Sequence, residues 1–322
     1  MNESQAMLSR VADSLYWMSR YLERAENSAR LIDVHINSML DMNLEMVEAQ
    51  RLRRLEETLA MGTSTGLSPD NNILTSLTFD ESIPISTVST IMSARENARQ
   101  IREQISSEMW TQINKLYLLV SGTDSQRVGA NNLHDFYARV KEGSHLFQGI
   151  TDATMNHNQG WHFIQLGRYI ERSLSLLQML DVHFRDAALE TKQDLQPNTY
   201  FEMVTILKSV SAFEAYCKVY NPNLQSMWIV EFLLFNMEFP RSLRFCVEMI
   251  QTSLQALAEA TGRSKNSKLY RMSGRLQSNL SYDEIQDIDD LSEYLQSIKT
   301  QIYQIHVMLY DTFITYQIET AL

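Results

Sequence analysis

Apolar residues recur along this chain at steps of three and four almost without interruption. From Met7 onward, Leu8, Val11, Leu15, Met18, Leu22, Ala25, Ala29, Ile32, Ile36 and Met39 form one stripe, with no Gly or Pro before Gly62. That spacing predicts one long helix of roughly thirty residues, followed by a second helical segment over 44–61. The stretch GTSTGLSPDNN (62–72) reads as a loop, and its Ser68-Pro69 pair predicts a helix start, with Ser as cap and Pro in the first turn. Ser82 to Pro84 make another break, and helical spacing returns over 85–106 with Ser86 or Thr87 as cap. Further helices are predicted over 107–121, 131–155, 159–190, 200–219, 224–236, 239–261, 265–279 and 283–318. Pro197, Pro222, Pro240 and Gly262 mark junctions between them. No run alternates β-branched residues, so the expected fold class is all-α, a large multi-helix bundle.

One helical phrase occurs twice. Residues 20–35 read RYLERAENSARLIDVH and residues 168–183 read RYIERSLSLLQMLDVH, identical at seven of sixteen positions at an offset of 148. The shared residues include Arg20/Arg168, Tyr21/Tyr169, Glu23/Glu171, Arg24/Arg172 and His35/His183. A shared apolar pattern would arise readily in a helical protein, whereas shared charges at fixed spacing point to two related helices. The second copy loses polar residues between the ends: Glu26 is replaced by Leu174 and Arg30 by Gln178. An offset this long fits two related halves, about 1–150 and 151–322, within a single domain spanning 1–322. It does not fit a solenoid of short repeats.

Composition narrows the function classes. The chain has 322 residues, 44% apolar and 21% charged, with 10 Gly and 5 Pro, which disfavours both disorder and a turn-rich sheet protein. A net charge of −11 argues against bulk attraction to nucleic acid or to an anionic membrane. Cys217 and Cys246 form neither a metal spacing nor a disulfide framework, and fit a reducing compartment. The N-terminal MNESQAMLSRVADSLYW has no basic-then-apolar run and does not read as a signal peptide; MWIVEFLLFNM (227–237) is too short to span a bilayer. The expectation is a soluble, cytoplasmic protein.

The candidate chemistry lies in the arginines and glutamates. On a helix, Arg20 and Glu23 share a face, as do Arg20 and Arg24, and Arg168, Glu171 and Arg172 repeat that geometry. Arg can hold a carboxylate or phosphate through two parallel bonds, and a neighbouring Glu can orient it. If the two helices pack together, up to four Arg and two Glu converge, with Tyr21 and Tyr169 one step round. Such a group is either a ligand or partner site or a set of interhelical bridges fixing register. SARENARQIREQISSEMW (93–110) adds Arg95, Arg99 and Arg102 along one side of a helix. FPRSLRFC (239–246) starts a helix at Pro240 and places Arg241 and Arg244 in its first turns, opposing the helix dipole unless an anion or an acidic residue sits there.

Independent catalysis finds little support. A di-metal bundle site needs two Glu-x-x-His motifs and two more carboxylates, and only Glu142–His145 fits, interrupted by Gly143-Ser144. There is no phosphate-cradling Gly loop and no nucleophile elbow. His157 and His162 in NHNQGWHF could border a pocket or simply cap and pack. His35 and His183, at the far ends of the repeated phrase, are expected to contact a neighbouring helix or a helix C-terminus. No metal and no cofactor is expected.

Four segments, SRVADSLYWMSRYLERAENSARLIDV (9–34), SARENARQIREQISSEMWTQIN (93–114), LGRYIERSLSLLQML (166–180) and FNMEFPRSLRFC (235–246), resemble the alpha-E domain family, all-helical bacterial proteins named for a Glu-Arg motif. The second copy has Ser173-Leu174 where the first has Ala25-Glu26, so a role for the trailing carboxylate belongs to the first copy alone. Members of that family are encoded beside, or fused to, ATP-grasp and transglutaminase-like proteins. The resemblance therefore implies an accessory role in making or modifying peptides. On that expectation Arg20, Tyr21, Glu23, Arg24, Arg95, Arg99, Arg168, Tyr169, Glu171 and Arg172 hold a peptide or an acidic group in a cleft. The alternatives are an enzyme acting on an amine or carboxylate at the same residues, and a purely structural set of pins.

Overall fold

The computed structural model describes residues 7, 9–40, 45–60, 73–123, 130–185, 197–222, 224–262 and 267–315. Among these residues the chain is helix and turn throughout, without a strand. The apolar stripe from Val11 onward becomes α1 (Ser9–Leu40), a helix of 32 residues. Then come α2 (Glu45–Ala60), α3 (Ile73–Phe79), α4 (Thr87–Gln100), α5 (Ser107–Ser121) and α6 (Ala130–Thr154). The second repeat phrase lies on α7 (Gln159–Phe184). Behind it follow α8 (Pro197–Ser209), α9 (Phe213–Tyr220), α10 (Ser226–Phe235), α11 (Leu243–Thr261), α12 (Lys268–Tyr282) and α13 (Leu291–Leu309).

The centre of the bundle is α7. From Phe163 to Val182 every side chain but Arg168 is buried, the polar Gln165, Ser173 and Gln178 included. A helix buried all round is a core helix, and α1, α2, α11 and α13 surround it. The second copy of the phrase is the more apolar one: Leu174 is buried in the apolar core, whereas its equivalent Glu26 is buried against Arg30 and Arg241.

Helices α1 and α7 run parallel and in register. The Met7 N–H donates to the Gln159 side chain, the Ser19 hydroxyl to the Ile164 carbonyl (2.7 Å), and Arg24 to Glu171 (2.6 Å), so partners stay close to 148 apart along the whole length. Their closest approach uses Gly167, the equivalent of Ser19. A Cβ there would stand 2.3 Å from the Tyr16 carbonyl oxygen and 3.1 Å from Ser19 Cβ. Parallel neighbours cannot be joined by a tight turn, and the intervening α2 to α6 make the long connection.

Several boundaries differ from the sequence reading for identifiable reasons. The helix expected over 85–106 ends at Gln100: Ile101 leaves helical geometry, Arg102–Gln104 form a 3-10 turn, and Ser106 caps α5 by accepting from the Met109 N–H. Arg102 therefore leaves the face of Arg95 and Arg99. Ser86 is the cap of α4, accepting from the Ser89 N–H. The segment expected over 200–219 is two helices, broken where Ser211 takes a left-handed φ of 52°. Pro240 does not start α11; Ser242 caps it, so Pro240 and Arg241 precede the helix. The last predicted helix begins at Leu291, capped by Asp290, with a 3-10 turn at Ile285–Asp287 before it. Helix α6 runs unbroken through Gly143-Ser144. The Ser68-Pro69 helix start and the tail of the segment predicted over 159–190 lie outside the described residues.

Candidate functional site

The register of α1 and α7 puts the two Glu-Arg pairs at one level. Adjacent residues on a helix are about 100° apart, so a Glu and the Arg that follows it cannot pair with each other. Each finds the other helix instead. Arg24 Nε donates to Glu171 Oε1 and Arg172 Nε to Glu23 Oε1, both at 2.6 Å. The exchange is reciprocal, the arginine of each pair holding the glutamate of the other. Arg20 adds a second grip on Glu171 at 2.7 Å, and the second guanidinium nitrogen of Arg172 bonds Glu23 Oε2 at 2.9 Å. The symmetry breaks at Arg168, the equivalent of Arg20. It donates to Gln148 Oε1 (2.6 Å), whose amide in turn donates to Glu23.

A second tier lies beside it. Glu26 is fully buried and pairs with Arg30 one turn on, with Arg241 (2.9 Å) and with His145 (3.1 Å). Arg241 also approaches Glu23 at 3.5 Å, so the loop before α11 is tied to α1 through both carboxylates. The acidic residue expected beside Arg241 is thus Glu26. Arg172 further donates to the Pro240 carbonyl at 3.0 Å.

Burial sets the electrostatics. It would raise the Glu23 carboxyl, but the guanidiniums of Arg172 and Arg241 outweigh it and hold the group down at about 2. Burial of Glu171 is likewise outweighed by Arg20 and Arg24, which lower it. The Arg172 guanidinium is raised, because Glu23 more than offsets its burial. Arg241 is pushed the other way, to about 10, by burial and by Arg172 beside it. Arg30 and Arg168 are lowered too, by burial and then by Arg241 and Arg172 respectively. Among the described residues five guanidiniums (Arg20, Arg24, Arg30, Arg172, Arg241) pair with three carboxylates (Glu23, Glu26, Glu171), and a sixth, Arg168, reaches Glu23 through Gln148. The cluster carries surplus positive charge.

Among the described residues the cluster is closely packed. The cavities touching the cluster, one beside Glu23, Arg172 and Arg241 and one beside Glu23, Gln148 and Arg168, measure about 10 Å³ each. That is room for a single water. Arg24 and Arg241 keep the exposed edges, 20% and 13% of their side chains. Tyr169 is buried beneath Arg168 and Arg172, and Tyr21 lies under Arg24. Arg95 and Arg99 are elsewhere: Arg95 bonds Asn114 and stacks on Tyr117, and Arg99 pairs with Glu96 on the surface.

Sequence reasoning missed Glu26, Arg30, His145 and Gln148 as members of this group. The repeat itself hides them, since Glu26 and Arg30 have no charged equivalents in the second copy. Their i,i+4 spacing was the available signal. Glu142 stays exposed, away from His145's partner, and among the described residues no group of three or more His, Cys, Asp or Glu could hold a metal ion. Cys246 is buried against the Pro240 carbonyl, and its burial pushes the thiol up to about 11, leaving it protonated and inert.

The family model for a predicted alpha-helical domain with a conserved ER motif, Alpha-E, matches residues 7–314. The chain belongs to that family. It is also similar to an uncharacterized protein of Mycobacterium bovis and to two of Mycobacterium tuberculosis, each 25% identical over 303 residues. The match covers 88% of this chain and 33% of each relative, so the chain spans about a third of their length. No solved structure matches it. No helix among the described residues is long and apolar enough to cross a membrane.

Proposed function

We propose that this alpha-E protein is an accessory, non-catalytic helical component working with an ATP-grasp-type ligase or a transglutaminase-like enzyme in making or modifying peptides. On this reading it takes an acidic group of the peptide or the partner at the Arg24 and Arg241 edge of the arginine cluster. The observation that carries the reading is the charge surplus of six guanidiniums over three carboxylates. Like charges crowded out of water repel, and an arriving carboxylate would relieve them.

The state of the glutamates supports the non-catalytic part. A general acid or base needs reach to substrate and a pKa near working pH, whereas Glu23 and Glu171 are enclosed by arginines and held ionised. The relatives' length supports the accessory part, because in them the matched stretch is joined to about twice as much further chain. A second reading, in which the cluster only pins α1 to α7, draws on the same enclosure.

The test is a pull-down from native lysate, followed by the partner's ATP turnover with and without this protein. A ligase-type or transglutaminase-like partner is expected, with turnover altered, and a folded Arg24→Gln variant should lose about tenfold in both effects. If no such partner is recovered, the accessory reading fails. If folded R24Q behaves as wild type, the acidic-group site fails and the pinning reading stands.

A further inference from the structure

The far end of the same two helices is built differently. His35 and His183 are repeat equivalents, and the parallel register brings both to one cavity of about 50 Å³, with Arg54 and Glu202. This recess abuts a larger cavity of about 440 Å³ between α1, α2, α8 and the start of α9. Ser38, Arg51 and Thr205 line both. The larger volume lies in the range of small-molecule sites, roughly 300–1,000 Å³.

Its walls divide by chemistry. Tyr200, Phe201, Val204 and Phe213 offer an apolar and aromatic side, and Arg51 and Lys208 stand among them. At the inner end Glu202 is held by Arg54 and lies 3.7 Å from His183 Nδ1. Arg51, Arg54 and Lys208 line the joined cavities together with Glu202, which Arg54 holds. His35 is 7% exposed, and its Nε2 has no hydrogen-bond partner. Burial and the nearby Arg51 push that imidazole down to about 4, so it meets a ligand uncharged, with one ring nitrogen to donate and the other to accept. A buried nitrogen left unpaired at the inner recess of an apolar-walled cavity that Arg51 and Lys208 also line is a position waiting for a hydrogen-bond partner.

We infer that these joined cavities bind a carboxylate carrying an apolar body, as in an N-acylated amino acid or the C-terminal residue of a peptide. The carboxylate lies toward Arg51, Lys208 and the unpaired Nε2 of His35, in the tautomer that donates from it, and the apolar body lies against Tyr200, Phe201, Val204 and Phe213. The site is distinct from the arginine cluster. From Arg24 to His35 is eleven residues along α1, about 16 Å at helical rise.

Calorimetric titration of the full chain with N-acetyl-phenylalanine, its amide and inorganic phosphate tests this. The acid is expected to saturate in the micromolar to low millimolar range, and the amide to bind at least ~10-fold more weakly. Lys208→Gln and Arg51→Gln should each weaken the acid by about 3- to 10-fold. Val204→Trp should fill the cavity and remove binding, and because its folding can suffer, the exposed K208Q supplies an independent reading. Absence of saturable binding overturns the proposal, as does equal affinity for acid and amide. Phosphate binding as tightly as the acid would reduce the site to a simple anion patch and overturn it too.

Discussion

The α1–α7 pair meets twice, and the two meetings solve different problems. At the Glu-Arg level, each copy carries opposite charges on adjacent residues, and the pairing across the interface lets each copy satisfy the other. At the histidine level, equivalents carry the same ring rather than opposite charges, and His183 approaches Glu202 while His35 Nε2 has no partner. The first level is packed down to water-sized gaps; the second leaves several hundred cubic ångströms. An internal repeat therefore becomes a joint where its residues are complementary to their own copies, and an opening where they are not.

The largest effect should come from breaking the joint. Glu171→Gln removes one carboxylate that two arginines share. Leaving buried guanidiniums unpaired costs about 3–5 kcal/mol, to be read as a drop in unfolding free energy in urea. A loss below ~1 kcal/mol would mean that the pairs are not what holds α1 against α7. Joint replacement of Glu171, Arg20 and Arg24 by apolar residues of similar size should recover much of the loss, since paired burial contributes little net stability.

Acid separates the two levels. His35 is held down at about 4 against an ordinary 6.5, by burial and then Arg51. The unfolded chain takes up its proton first as pH falls. Its contribution is therefore full above pH 6.5 and is lost as pH drops through 4, about 3 kcal/mol at most. His145 and His306, also lowered to about 4, act in the same window. Glu23 sits at about 2 against 4.5, so its contribution is full above pH 4.5 and is lost only as pH falls through 2. Unfolding free energy should fall between pH 6.5 and 4 before the joint weakens, and His35→Asn should flatten part of that slope. An unchanged slope in H35N would show that the distal imidazole is not held neutral.

The closeness of the joint has its own probe. Gly167→Ala places a methyl 2.3 Å from a backbone oxygen of α1, which cannot rotate away. Overpacking of that kind costs about 1–3 kcal/mol. If G167A melts like wild type, the two helices have more play than their ion-pair geometry implies.

What could be read from the sequence follows the same division. Helical periodicity exposed α1 almost residue for residue, because 32 residues without Gly or Pro leave one choice. The repeated charges told which residues matter at the joint, and Arg20, Glu23, Arg24, Glu171 and Arg172 do meet. Direction was invisible: the same phrase could pair each Glu-Arg with its copy whether the helices ran parallel or antiparallel. Enclosure was invisible as well, since it depends on Gln148 from α6 and Arg241 from the loop before α11. The distal cavity left little trace beyond His35 and His183, because much of its wall comes from α2 and α8, outside the repeat.

The smallest predicted effect marks where charge stops mattering. Arg99 and Glu96 form a well-shaped pair at 2.7 Å, yet their side chains are 59% and 49% exposed. In water, Coulomb attraction is weak and ordering two long side chains offsets most of it, so exposed helix pairs contribute about 0.3–0.5 kcal/mol. Arg99→Ala should therefore leave the unfolding midpoint close to that of wild type, in the same urea titration in which E171Q loses several kcal/mol. Arg95 should cost more, because it also covers the Tyr117 ring at 4.4 Å and bonds Asn114. A loss in R99A comparable to that in E171Q would mean that the surface of α4 carries a structural load its exposure denies. The contrast between enclosed and solvated pairs would then no longer explain which Glu-Arg pairs hold this fold together.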